Sequence, residues 1–389
     1  MAAERTDAGG RRRARWTRWI VLGAVLAGMT ALVTAHQTGR GSGRWTGVDF
    51  LCPFGGLETL YSLLAGDGFL KHTAASSVIL LAGMLLMAVL WRRSFCGYLC
   101  PLGALQGIVG AAGRRLLRRR YVVPRRVDRV ARSLKYVVLL VFAVWTWQAA
   151  ELVLRPYDPW VAWAHLTSAD LLATYLIGFV VLVVSLAGSL FYDRFFCKYL
   201  CPTGALLALL ARFSVLGIRR DPAACIDCGR CDKACMMNVE VATADLVTSA
   251  ECISCNECVN ACPVKGALQV ETPGGRRAPA LAATGIVVAV MVAVVGVTTL
   301  AGSFDWRRPG LAEAMALSAP ASGGSFDPSL IKGYMSLREI ADATGVPPEE
   351  LTAVFGVPAG DLELPMRETK DAYGFTPEDV RVWLQGRLR

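Results

Sequence analysis

Cys225-Ile226-Asp227-Cys228-Gly229-Arg230-Cys231-Asp232-Lys233-Ala234-Cys235 and Cys252-Ile253-Ser254-Cys255-Asn256-Glu257-Cys258-Val259-Asn260-Ala261-Cys262 share one spacing, C-x2-C-x2-C-x3-C. This is the bacterial ferredoxin spacing for [4Fe–4S] cubes. Three cysteines in a tight loop reach three irons of one cube, and the fourth, beyond a helical turn, reaches the other. The expected ligand sets are therefore crossed: Cys225, Cys228, Cys231 and Cys262 for one cluster, Cys252, Cys255, Cys258 and Cys235 for the second. Zinc prefers paired C-x2-C runs, and a reducing cytoplasm disfavours disulfides. Pro263 follows the last cysteine of the second run, as is usual, but Met236 stands in that place in the first. The substitution predicts a looser turn at Cys235 or a shifted potential for its cluster.

Outward from this segment the chain is greasy. Its 389 residues are 54% hydrophobic and 19% charged, and the mean hydropathy is +0.43. An average soluble domain is about a quarter charged. The composition excludes a soluble protein of this size, a disordered chain and a collagen-like repeat. Thirteen cysteines are too sparse for a secreted disulfide scaffold, and their clustering points to metal. The net charge of +10 is unevenly placed. Residues 92–135 carry twelve Lys and Arg against the single acid Asp128, whereas the last 88 residues carry nine bases and thirteen acids. A basic loop between apolar segments is the positive-inside signature of a membrane protein, not a nucleic-acid surface.

A span needs about 20 mostly apolar residues. Five stretches qualify or nearly so: Trp19–Ala35, Ala75–Trp91, Leu134–Val153, Leu171–Leu190 and Ala280–Ala301. Basic flanks at Arg11–Arg13, Arg15 and Arg18, in residues 92–135, and at Arg194, Lys198, Arg212, Arg219 and Arg220 place the N-terminus in the cytoplasm and the C-terminus outside. Val33-Thr34-Ala35 offers a signal-peptide cleavage site, but the preceding apolar run of about 17 residues is long for a signal, and a retained anchor is the favoured reading.

An internal repeat runs through the apolar region. Trp91-Arg92-Arg93-Ser94-Phe95-Cys96-Gly97-Tyr98-Leu99-Cys100-Pro101-Leu102-Gly103-Ala104-Leu105 aligns with Tyr192-Asp193-Arg194-Phe195-Phe196-Cys197-Lys198-Tyr199-Leu200-Cys201-Pro202-Thr203-Gly204-Ala205-Leu206. A shorter copy, Cys52-Pro53-Phe54-Gly55-Gly56-Leu57, lacks the upstream cysteine. Proline suits the first position of a helix, so Cys100 and Cys201 fall at N-caps, where the helix dipole and the Arg93 and Arg194 charges are expected to lower the thiol pKa. Cys96, Cys100, Cys197 and Cys201 are candidate redox or metal thiols, as two pairs or as one four-thiolate site. The competing reading is small packing residues at helix entries. For Cys52, packing and function are equally open.

Five spans, two Phe-Cys-x-Tyr-Leu-Cys-Pro repeats and a following two-cluster segment resemble the polyferredoxin-like membrane proteins of the NapH/NosR type, over about residues 15–300. The resemblance implies electron transfer at the membrane, often from quinol, to or from a partner redox enzyme; some relatives instead serve the maturation or upkeep of a metalloenzyme. No flavin-binding domain precedes the first span here, so a covalently flavinylated route is not supported.

The expected fold is an all-α multi-pass membrane bundle with a small ferredoxin-like (α+β) cytoplasmic segment and a small helical C-terminal module. Its parts are a basic N-terminus (1–18), a membrane domain (19–217), the two-cluster domain (218–272), a fifth span (280–301), a Gly/Pro/Ser/Ala-rich linker (302–327) and the terminal module (328–389). The expected cofactors are two [4Fe–4S] clusters, with a quinone as a further candidate. Haem b is not expected, because His36, His72 and His165 sit at span ends or in a loop. Arg155-Pro156-Tyr157-Asp158-Pro159-Trp160 reads as interfacial anchoring. In the terminal module Ser336, with Glu339 three residues later, opens a helix before Gly345, and Pro347–Phe355 and Thr376–Leu388 continue in short helices. The module is acidic and on the outer side, which argues against DNA and for docking to an extracytoplasmic protein. No dinucleotide or phosphate-binding glycine motif occurs. Expected partners are membrane lipid and a redox enzyme or carrier, without nucleic acid.

Overall fold

The computed structural model describes residues 8–37, 56, 75–118, 121–149, 153–166, 170–272, 275–304, 306, 310–315, 327–331 and 333–387. Cys52, His72 and the side chain of His36 lie outside the described residues. Two compact units emerge, one from Met1–Val33 and Ile79–Ala301, the other from Thr34–Val78 and Gly302–Arg389.

The first unit is mostly helical. Its helices up to the cysteine-rich segment are α1 (Ala8–Gln37), α2 (Ala75–Trp91), α3 (Ser94–Tyr98), α4 (Pro101–Leu117), α5 (Arg125–Ala149), α6 (Pro159–Ala164), α7 (Asp170–Thr174), α8 (Leu176–Phe191), α9 (Phe195–Tyr199) and α10 (Pro202–Ala211), of which α2 and α8 are uncharged and mainly apolar while α1 and α5 open on basic turns. Among the described residues, Gly9–Ala35 and α13 (Ala280–Leu300) are long and apolar enough to cross a membrane, while Ser76–Trp91, Leu176–Phe191 and Pro202–Ala211 are apolar but shorter. Helix α5 begins at Arg125, well before the apolar run expected from Leu134. The stretch expected as one span over 171–190 is divided at Tyr175 into α7 and α8.

Both Cys-Pro repeats fold alike: a long apolar helix, a five-residue helix, then a helix opening on proline. They interlock. The proline-opened helix of the first repeat, α4, lies along the long helix of the second, α8, so closely that a Cβ on Gly113 would sit 2.1 Å from the Leu190 carbonyl oxygen. Reciprocally, the chain leaving α10 returns to the end of α2, where the Val215 N–H donates to Val89 O at 3.0 Å and the Arg92 guanidinium to Ala211 O at 3.3 Å.

The cysteine-rich segment is framed by short antiparallel strands. β1 (Gly217–Arg220) pairs with β2 (Leu268–Glu271), Ile218 opposite Val270, and β2 pairs with β3 (Arg277–Ala278). Between β1 and β2 run two cysteine loops with the single-turn helices α11 (Arg230–Ala234) and α12 (Glu257–Ala261).

In the second unit, α14 (Leu337–Thr344) and α15 (Pro348–Phe355) are echoed by α16 (Met366–Tyr373) and α17 (Pro377–Arg387). The echo is also in sequence: Arg338, Glu339, Asp342, Ala343, Gly345, Pro348 and Glu349 recur in the same order and spacing as Arg367, Glu368, Asp371, Ala372, Gly374, Pro377 and Glu378. Gly345 and Gly374 both end their helices with φ near +70°, a conformation glycine adopts without strain. Leu337, Val346 and Leu351 are buried, as are their counterparts Met366, Phe375 and Val380, in one core. The expected cap at Ser336 forms, with the Glu339 N–H donating to Ser336 Oγ at 3.1 Å. The Glu339 carboxylate accepts from the Leu311 N–H at 2.9 Å.

Candidate iron–sulfur centres

The fold brings the ferredoxin cysteines together in two quartets. Cys225, Cys228, Cys231 and Cys262 line one cavity, and Cys235, Cys252, Cys255 and Cys258 line another. Each cavity takes three thiols from one run and the fourth from the other run. The backbone explains how so few residues can ring a cavity. Asp227 and Gly229 in the first loop, and Ser254 and Asn256 in the second, all take positive φ. These left-handed residues curl each loop inward, and Gly and Asn tolerate that conformation better than most. Among the described residues, no three His, Cys, Asp or Glu converge as a single ion would need. Four soft donors spaced around a cavity fit a multi-iron cluster, whose irons sit at separate corners.

The two quartets sit in different environments. Cys228 is exposed, and Ile226 beside it is 57% exposed. Cys252, Cys255 and Cys258 are all buried. Burial pushes the Cys252 thiol up to about 12 and raises Cys258 as well, so a metal entering this quartet must displace protons. Met236 does not loosen the turn at Cys235. Cys235 and Cys262 close their helices with nearly the same backbone, φ −73° and ψ 106° against φ −68° and ψ 123°. The thioether of Met236 instead accepts a 3.7 Å contact from Arg18 Nη2.

Arg18 belongs to a basic clamp at the start of α1. Its guanidinium, almost wholly buried, donates to Glu257 Oε1 at 3.0 Å and to Gly97 O at 3.1 Å. Arg15 adds a second bond to Glu257, and Arg11 donates to Cys262 O at 2.9 Å. The sequence marked these arginines as a positive flank but not as ligands of the cluster domain, because the partner lies more than two hundred residues away.

The buried quartet is seated on the first Cys-Pro repeat. Ser254 Oγ donates to Trp91 O at 3.1 Å, Asn256 Nδ2 to Tyr98 Oη at 3.1 Å, and the Arg93 N–H to Cys252 O at 3.4 Å. Arg93, fully buried, also pairs with Glu251 at 2.9 Å, and Lys135 joins the same carboxylate. Burial alone would raise the Glu251 carboxyl; Arg93 and Lys135 override it and hold it below the usual range.

Cys100 and Cys201 pack on one apolar cluster with Leu102, Leu182 and Phe196, and Gln106 Nε2 of the first repeat donates to Cys197 Sγ of the second at 3.5 Å. Cys100 and Cys201 occupy the expected N-caps: their sulfurs accept from Gly103 N at 3.3 Å and Gly204 N at 3.2 Å. The expected fall in pKa does not follow. Burial raises Cys100 well above its ordinary value and Cys201 to about 12, outweighing the cap and, at Cys201, Arg93. His165, the histidine whose side chain is described, bonds Val161 O through Nδ1 at 2.8 Å and stacks on Tyr175.

A mostly helical scaffold with helices of membrane-spanning length and a domain of two cysteine quartets defines a polyferredoxin of the membrane. Residues 73–120 and 174–220, one stretch per Cys-Pro repeat, match a family described as a 4Fe-4S binding domain, and residues 217–263 match a 4Fe-4S dicluster domain. The putative electron transport protein YccM of Escherichia coli is 33% identical over 282 residues, covering 68% of this chain and 75% of the relative. The regulatory protein NosR of Pseudomonas aeruginosa is 29% identical over 154 residues, 39% of this chain and 21% of that protein. The ferredoxin-type protein NapH of Haemophilus influenzae is 28% identical over 153 residues, 39% and 50% of the two chains. The chain belongs to the NapH/NosR-type family of membrane polyferredoxin-like 4Fe-4S proteins. No solved structure matches it.

Proposed function

We propose that this chain is a multi-pass membrane protein that passes electrons between cytoplasmic [4Fe–4S] clusters, the quinone pool and a partner redox enzyme. The observation that carries the reading is the crossed sorting of eight cysteines into two cavities. In this reading Cys225, Cys228, Cys231 and Cys262 hold one cluster and Cys252, Cys255, Cys258 and Cys235 the other. When bound, such clusters supply one-electron chemistry at potentials tuned by burial and nearby charge. The protein's residues do the rest. Ile226 and Cys228 present the first centre at the surface, while Trp91, Tyr98 and Arg93 seat the second against the apolar helices. The clamp from Arg11, Arg15 and Arg18 onto the cluster domain supports an α1 that is retained and a basic N-terminus on the same side as the clusters. The C-terminal module, beyond α13, is the proposed docking piece for an extracytoplasmic protein.

Anaerobically purified protein is expected to give electron paramagnetic resonance signals of two interacting cubes that respond to added quinol or quinone. Silent, iron-free material would refute the reading. Removing residues 328–389 should lower association with the outer partner and leave iron content unchanged; undiminished association rejects the docking role. A relative named a regulatory protein supports a second reading, in which the clusters supply electrons to a metalloenzyme under assembly. Loss of the gene separates the two: the partner enzyme is intact but starved of electrons in the first, and lacks its metal centre in the second.

A further inference from the structure

Between the foot of α5 and the segment that links the two cysteine runs lies a cavity with no cysteine in its lining. Its volume, about 380 Å3, falls within the range of ordinary small-molecule sites, about 300–1,000 Å3. One wall is the first two turns of α5, with Arg125, Asp128, Arg129 and Arg132. The other is formed by residues 238–240, 244 and 246–249, including Glu240 and the hydroxyl-bearing Thr248. Val239 and Val247 of that wall also line the cavity of Cys235, Cys252, Cys255 and Cys258, so an occupant would sit one layer of side chains from the buried quartet.

Both acids of the cavity are already answered. Asp128, which is buried, accepts from Tyr199 Oη at 2.7 Å and pairs with Arg132 Nη2 at 2.5 Å. Glu240 pairs with Arg125 at 3.2 Å. Arg132 Nη2 also donates to Met237 O at 2.8 Å, which ties its guanidinium to the opposite wall. What remains is positive. No hydrogen bond or ion pair engages Arg129 among the described residues, and the Arg132 Nε–H is buried without an acceptor. An idle buried donor is costly, and a guanidinium matches the oxygens of a phosphate better than a point charge does. The position of the cavity selects the carrier of that phosphate. The basic turns of α5 give way at Leu134 to an apolar run. Leu140 and Val144, on the same side of the helix as Arg129 by helical period, are exposed. An anion held at Arg129 and Arg132, with hydrocarbon laid along that face, is a phospholipid. A basic pocket beside a membrane helix on the cytoplasmic side is the general form of a headgroup site.

We infer that this cavity binds the phosphate of an anionic phospholipid from the leaflet on the cluster side, and so fastens the segment between the cysteine runs to the membrane. A zwitterionic lipid fits less well, because its ammonium would lie beside the same arginines. The site lies outside the electron-transfer chemistry and rests on one part of the reading above, that α5 enters the bilayer.

The test is a titration of the full chain, purified in detergent without oxygen, with phosphatidylglycerol or phosphatidylcholine, bound lipid being counted by native mass spectrometry. Wild type is expected to retain phosphatidylglycerol in preference to phosphatidylcholine. Arg129→Gln, at an exposed position, is expected to weaken that retention roughly tenfold at unchanged iron content. Arg126→Gln, on the same turn of α5 but outside the cavity lining, is expected to keep it. Equal losses in the two variants, or equal retention of the two lipids, would show only the diffuse attraction of a basic loop and overturn the site. Displacement of the lipid by millimolar inorganic phosphate assigns the cavity to a soluble phosphate and overturns the lipid as its occupant. A wild-type chain that retains neither lipid overturns the inference and leaves the electron-carrier reading standing. A chain that stays dispersed without detergent overturns the membrane reading as well.

Discussion

Gly97 shows what one residue decides here. The carbonyl of Ile253 occupies the space a side chain would need, and both neighbours are backbone, which cannot swing away. Gly97→Ala therefore pushes the ferredoxin loop off the first repeat. Overpacking typically costs about 1–3 kcal/mol, and here the strain falls on the loop between Cys252 and Cys255. The expected outcome is loss of iron from the buried quartet with the exposed quartet kept, read as total iron dropping by about four atoms per chain. Unchanged iron would mean that the loop shifts freely. Glycine is ambiguous in sequence, since it signals a turn, a close approach or nothing; only the carbonyl facing it makes this one specific.

At the scale of an element, the short helix α6 shows a cap working against its surroundings. Asp158 caps it by accepting from the Trp160 N–H at 2.8 Å, which favours the carboxylate. Burial opposes this more strongly, and the Asp158 carboxyl is raised to about 6. A folded value above the ordinary 3.8 means that the fold prefers the neutral acid. The contribution is complete below about pH 4 and is lost as pH rises through 6. Asp158→Asn keeps an acceptor at the cap and removes the charge. It is expected to stabilise the protein at pH 8 by roughly 1–3 kcal/mol and to flatten the dependence of thermal unfolding between about pH 4 and 7. A variant with the wild-type pH profile would assign the titration to another group. The sequence shows Asp158 amid aromatics, but its desolvation comes from tertiary packing around α6 and α8, such as the approach of Pro156 O and Asp158 O to Gly178.

For the whole molecule, the division into two units carries its own prediction. The second unit has a core of buried Leu311, Ile331, Met335, Leu337, Ile340 and further apolar side chains contributed by its own residues, and no cysteine lies among residues 302–389. Residues 302–389 expressed alone should unfold cooperatively on heating, with or without iron in the medium. A fragment without a sigmoidal transition would show that this unit depends on the rest of the chain. The segment read as a small helical module, but its internal doubling is expressed in packing: residues of both helix pairs meet in one core.

What the sequence determined by itself is chemistry that depends on local spacing. Eight cysteines in two identical runs point to iron–sulfur chemistry, because that spacing sets donors within a single turn. The repeated Cys-Pro motif and the apolar stretches are legible for the same reason, since helical periods and N-cap prolines act over a few residues. Tertiary structure alone decided that the two repeats interlock, that Arg93 and Arg194 reach across to the other repeat's backbone, and that burial raises the capped thiols instead of the dipole lowering them. Those outcomes depend on desolvation and on contacts between residues a hundred or more positions apart, and neither leaves a trace in local sequence.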